Sequence, residues 1–106
     1  MMTLDEMKLA VCEKLPELID IDTISMTYPT YWWTMKGTSL HQIDWPTEGL
    51  QVCHEAEKLF KNDAELVEKY WLALYDVTDT TAWPFDATHE QRLEALCRVW
   101  FPERFQ

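Results

Sequence analysis

The sequence predicts an α+β fold, with about three helices arranged around a short antiparallel sheet. Three observations predict it. Two segments open with capping boxes and continue with one apolar stripe, a middle stretch is rich in β-branched and aromatic residues, and the run Tyr70 to Val77 is apolar on both alternating faces. With 106 residues, 47% of them hydrophobic and only two of them glycine, the chain has the apolar area for one core and no room for a second domain.

The first helix starts at Thr3, because Thr3 and Glu6 form a Thr-x-x-Glu box in which each side chain satisfies a free backbone N–H. Leu4, Met7, Val11, Leu15 and Leu18 recur at spacings of three and four, and Pro16 ends the regular helix near Lys14 to Leu15. Residues 20–45 hold Ile21, Thr23, Ile24, Thr27, Tyr28 and Tyr31 to Trp33 around Pro29, and one short strand is expected near Tyr31 to Met35. Gly37 is the clear breaker in that stretch.

Asp44 can cap a second helix that carries Trp45 and Pro46 in its first turn, where proline costs no intrahelical bond. That helix is expected to run to about Lys61, with Leu50, Cys53, Ala56, Leu59 and Phe60 as its apolar face and Asn62-Asp63 as its stop. Ala64 to Val77 reads two ways. As a strand it places Tyr70, Leu72 and Leu74 on one face and Trp71, Ala73, Tyr75 and Val77 on the other, which requires packed layers on both sides. As a helix, Leu66, Val67, Tyr70, Trp71 and Leu74 make a stripe, and an all-α four-helix arrangement stays open. The strand reading continues through a turn at Thr78-Asp79-Thr80 into an edge strand over Thr81 to Trp83 that Pro84 limits. A last helix is capped by Asp86 or Thr88, the latter forming a Thr-x-x-Gln box. Its stripe is Leu93, Leu96, Cys97, Trp100 and Phe101, Arg92, Arg98 and Arg104 fall on or beyond the other side, and Pro102 ends it.

Ile43-Asp44-Trp45 leading into the second helix, the Tyr70-to-Tyr75 strand and the Thr88-to-Phe101 helix with its Glu94-Ala95-Leu96-Cys97-Arg98 centre give a layout that resembles the small αβα (ABA) sandwich domains encoded by bacteriophages and prophages. Most domains of that type have no assigned function. The chain departs from them in the long Ile21 to Gln42 stretch and in the aromatic Val99-Trp100-Phe101 end. The resemblance implies a phage or mobile-element origin and a layered architecture. It brings no catalytic residue, because a fold does not carry a function.

Charge narrows the partners. Nineteen acids against nine bases give a formal charge of -10, and residues 63–89 alone carry six acids and one base. Such a chain repels phosphates, so direct nucleic-acid binding is not expected. No apolar run approaches the length of a membrane span, and Asp5 and Glu6 stand where a signal peptide carries positive charge. A cytoplasmic location is expected, that of the host cell if the chain is phage-encoded, with no membrane partner.

The motifs of common chemistry are missing. Cys12, Cys53 and Cys97 with His41, His54 and His89 contain no Cys-x-x-Cys or His-x-x-x-His pair, and neighbouring Cys53 and His54 diverge on a helix, so no metal and no cofactor is expected. A Cys–His nucleophilic pair drawn from Cys53, Cys97 and His89 competes with the plainer reading of reduced, buried thiols. Gly is too scarce for a phosphate loop.

Six tryptophans are the unusual feature. Trp71 and Trp100 fit core stripes, whereas Trp32, Trp33, Trp45 and Trp83 lie near turns, where they cover core edges or anchor an interface. The expected partner-binding residues are Asp76, Asp79, Trp83 and Asp86 with Trp32 and Trp33, and no catalytic residue is assigned. Together these features suggest a non-enzymatic phage accessory protein that binds a protein partner. One concrete form is an acidic inhibitor of a host nucleic-acid-handling or defence system, anti-CRISPR action included. A self-associating assembly module using the Thr81 to Trp83 edge is the alternative, and a small enzyme without a recognisable motif is the third reading.

Overall fold

The computed structural model describes residues 1–23, 29–35, 38–79 and 86–105. Its elements run α1 (Leu4–Glu13), β1 (Ile19–Asp22), β2 (Thr30–Met35), β3 (Thr38–Gln42), α2 (Trp45–Glu57), a 3-10 turn (Lys58–Phe60), α3 (Ala64–Thr78), α4 (His89–Trp100) and a second 3-10 turn (Pro102–Phe105). The class is α+β, four helices with a three-stranded antiparallel sheet. The Cα radius of gyration, 14.0 Å, is close to the roughly 13 Å of a compact chain of this length.

Both capping boxes form. Thr3 Oγ1 accepts from the Glu6 amide at 3.2 Å while Glu6 Oε1 accepts from the Thr3 amide at 3.0 Å, and Thr88 and Gln91 repeat the exchange at 3.2 and 2.9 Å. The first helix stops at Lys14, ahead of Pro16. In α2 the buried stripe is Gly49, Val52, Cys53 and Ala56, continued by Phe60, while Leu50 and Leu59 lie 44% and 52% exposed. The observed stripe keeps Cys53, Ala56 and Phe60 of the expected face, and Gly49 and Val52 stand in it where Leu50 and Leu59 were expected.

The segment from Ala64 to Thr78 is a helix and not a double-faced strand. Asp63, expected as a stop, is its N-cap and accepts from the Leu66 amide at 3.2 Å. Helical spacing brings Tyr70 and Leu74 together into the core and sends Leu72 out, 60% exposed, where a strand would have buried all three on one face. Asp79 closes the helix in the left-handed region, φ 51°. The expected edge strand over Thr81 to Trp83 lies outside the described residues.

The sheet comes instead from residues 19–42, in the order β1-β2-β3. β2 matches the expected strand, and β1 and β3 pair on either side of it. Ile19, Ile21, Tyr31 and Trp33 face the helices, and Tyr31 meets Trp45 edge to face at 5.5 Å.

Helix α4 is the centre of the molecule, packed against α1, α2 and α3 together. Leu93, Ala95, Leu96 and Cys97 are fully buried there. Arg92 was expected on the polar side of this helix, yet it is only 7% exposed. All three cysteines are free and buried in this core.

Candidate functional site

Two groups of the expected binding residues belong to different layers. Asp76 and Asp79 sit in the last turn and at the C-cap of α3, which packs on α4, whereas Trp32 and Trp33 lie in β2. Asp76 is exposed and ion-paired with Arg98, Nη1 to Oδ2 2.6 Å, and Arg98 Nη2 holds Glu94 at 2.8 Å as well. Its charge is therefore partly spent within the chain. Asp79 and Asp86 are exposed. No basic residue lies in the last turn of α3, so Asp76 and Asp79 add carboxylates to the end of the helix that already carries partial negative charge. Trp83 lies outside the described residues.

The two adjacent tryptophans part company because strand side chains alternate. Trp33 turns inward, packs against the core and donates from Nε1 to Glu48 Oε2 at 3.0 Å. It is a core-edge residue. Glu48 also takes the Asp44 amide on Oε1 at 2.9 Å and approaches His41 Nε2 at 2.8 Å, and these bonds, the Asp44 amide first, hold its carboxyl below the usual range. Trp32 turns outward, its Nε1 donating to Thr30 Oγ1 at 3.2 Å.

The basic side chains are largely used internally. Lys58, Lys69, Arg92, Arg98 and Arg104 each hold a carboxylate of the same chain. Lys8 lies over Trp45, 5.2 Å from the ring centre, and Lys14 over Trp100 at 5.5 Å. By contrast, Glu17, Asp20, Glu68, Asp79, Asp86 and Glu90 have no ion-pair partner among the described residues. What the surface offers to a partner is negative charge.

One convergent polar cluster was not foreseen from the sequence. Glu57, at the end of α2, receives Arg92 Nη1 at 2.9 Å and the Tyr70 hydroxyl on Oε2, while His54 Nδ1 lies 2.8 Å from Oε1. Arg92 Nε donates to the Ala87 carbonyl at 3.2 Å. Burial first, then the Glu57 hydrogen bond and charge, push the Tyr70 phenol up. A cleft of about 380 Å³ lies over this cluster, walled by Phe60, Val67 and Trp71. Both oxygens of Glu57 are engaged, so the cluster reads as a buried tie between α2, α3 and α4. Its one signal in the sequence is the position of Arg92, four residues before Leu96 and hence on the flank of the apolar stripe.

The thiols are poor nucleophiles. Burial above all pushes Cys12, Cys53 and Cys97 each up to about 12, and the positive charges of Lys8, Arg92 and Arg104 respectively offset only part of it. Cys53 Sγ faces the backbone carbonyl of His89 and not its ring. Among the described residues no group of three or more His, Cys, Asp or Glu is placed to hold a metal ion, and no helix is long and apolar enough to cross a membrane. No family model, curated protein or solved structure matches the chain.

Proposed function

We propose that this chain is a non-enzymatic accessory protein, of phage or other mobile-element origin, that works by binding a protein with a basic surface. The observation that carries the reading is the one-sided use of charge: the described lysines and arginines, Lys61 apart, are occupied by the chain's own carboxylates and rings, and the groups left over are acidic. A surface of that kind competes for grooves built to take phosphates, so the target class is a nucleic-acid-handling or defence enzyme of the host, the setting in which anti-CRISPR inhibitors act. The origin rests on the resemblance of the Ile43-to-Trp45 and Thr88-to-Phe101 patterns alone, because the Tyr70-to-Tyr75 segment that also entered it is helical.

The reading is tested by capture of host proteins on the immobilised chain, with duplex DNA as competitor. Retained proteins should be basic, released by DNA and by moderate salt, and lost when Asp76, Asp79 and Asp86 are changed to Asn together. Retention indifferent to salt, DNA and the triple change would sink the idea of an acidic mimic. Because Asp76 is already tied to Arg98, most of the loss should come from Asp79 and Asp86.

A second reading, self-association into an assembly, draws on β1 and β3, which are the outer strands of the sheet among the described residues, and on Leu40, exposed at the irregular pairing of β3. Light scattering over a concentration series separates the two: a constant monomer mass removes assembly, and a rising mass favours it.

A further inference from the structure

We infer that the outer face of the sheet reads arginine, with Trp32 and Asp20 receiving one arginine side chain of the basic partner. This rests on the proposed binding of a basic protein and names where and by what chemistry that protein is held.

The register defines the face. Asp20, Trp32 and Gln42 lie directly opposite one another across the three strands, and Asp22 pairs Thr30 in the next row of the same face. Ile19, Ile21, Tyr31 and Trp33 occupy the other face and pack on the core, while Trp32 is not among the residues that touch it. A directly opposed pair has its Cβ atoms about 5 Å apart, so the Asp20 carboxylate stands beside the indole at the spacing of one guanidinium group. The Thr30 hydroxyl, two residues along the same strand, takes the Trp32 Nε1 proton at 3.2 Å and fixes the ring before any ligand arrives.

That arrangement favours arginine over lysine. A planar guanidinium can lie on the indole and still direct two N–H groups to a carboxylate, whereas an ammonium on a flexible stem satisfies one demand at a time. Among the described residues no basic side chain fills the position. None of the residues in β1, β2 or β3 is Lys or Arg, and Arg92, Arg98 and Arg104 are held by Glu57, Glu94 and Glu6. Asp20 has no ion-pair partner among the described residues, and its exposed carboxylate is placed to receive a complementary charge from a partner.

The test is a titration of the full ¹⁵N-labelled chain at low salt with two blocked peptides, Gly-Arg-Gly-Arg-Gly and Gly-Lys-Gly-Lys-Gly, followed by amide and indole shifts. The arginine peptide should move the Trp32 indole signal with the Asp20 and Gln42 amides and bind about two- to fivefold more tightly than the lysine peptide. Trp32→Leu and, as the gentler change, Asp20→Asn should each abolish that preference while the spectrum stays dispersed. Equal affinity for both peptides, or shifts confined to Asp79 and the end of α3, overturns the arginine site and leaves acidic protein binding standing. Absence of binding by either peptide counts against both.

Discussion

Arg92 Nη1 lies 2.9 Å from Glu57 Oε2, a contact that joins α4 to α2 across 35 residues of chain. Removing one partner of a buried ion pair strands the other, which costs more than the pair is worth. Arg92→Met should therefore lower the unfolding free energy by about 2 to 4 kcal/mol in urea titrations. Adding Glu57→Gln to Arg92→Met should cost less than the two single losses combined, because the stranded carboxylate is then gone. Strict additivity would show that the two side chains do not act as a pair.

Gly49 and His89 set a second test. A Cβ placed on Gly49 would come within 2.5 Å of His89 Cγ and 2.9 Å of His89 Cβ, so the obstacle reaches to the root of that side chain. Alanine in a helix interior ordinarily gains about 1 kcal/mol over glycine, and here overpacking of about 1 to 3 kcal/mol opposes it. Gly49→Ala should lower the melting temperature in the wild-type chain and raise it in a His89→Gly background, where the Cβ and the ring are both gone. The change of sign identifies the clash.

The core thiols predict an alkaline limit. In the folded chain Cys12, Cys53 and Cys97 titrate near 12, against about 8.5 when unfolded. The folded state thus keeps protons that the unfolded state releases. Stability should be level below about pH 8 and fall as pH climbs toward 12, with the raised Tyr31 and Tyr70 phenols steepening the fall from about pH 10, where unfolded phenols ionise. Denaturant midpoints across that range check the slope. At pH 8 a thiol reagent should label none of the three until the chain unfolds.

Asp79 separates binding from stability. Its φ of 51° is costly for any side chain, and its carboxylate stands at the negative end of α3. Asp79→Gly should raise stability by roughly 0.5 to 1 kcal/mol while weakening capture of a basic partner. A destabilised variant would mean that the carboxylate serves the fold.

The fold was legible where its signals are local. Thr3 with Glu6 and Thr88 with Gln91 announce two helices through side chains three residues apart, and both boxes close as expected. β2 was visible in its aromatic and β-branched run. Its partners were not, since β1 is only Ile-Asp-Ile-Asp and β3 is Thr-Ser-Leu-His-Gln, and what makes them strands is pairing with β2. In Tyr70 to Val77 apolar residues satisfy both periods, and the choice rests on Asp63 serving as a cap and on the Glu65–Lys69 pair at 3.1 Å, a spacing that only a helix brings together. At the second helix Asp44 is the N-cap as expected, but its side chain accepts from the Thr47 hydroxyl and not from a backbone amide, and Glu48 answers the Asp44 amide.

The candidate site was legible in part. The residue types were read from charge and from tryptophan, but which of Trp32 and Trp33 faces outward depends on strand register, and the Asp76–Arg98 pair depends on how α3 lies along α4. Neither is written within one segment.

The central position of α4 has a consequence during synthesis. α1, α2 and α3 leave the ribosome before the helix on which all three pack. At about 5 to 20 residues per second, the chain from Thr78 to Trp100 takes roughly one to five seconds to make, and through that interval Val11, Val52 and Leu74 have no common surface to cover them. Until α4 emerges the nascent chain exposes the apolar faces that this helix later covers, the kind of surface that chaperones and proteases act on.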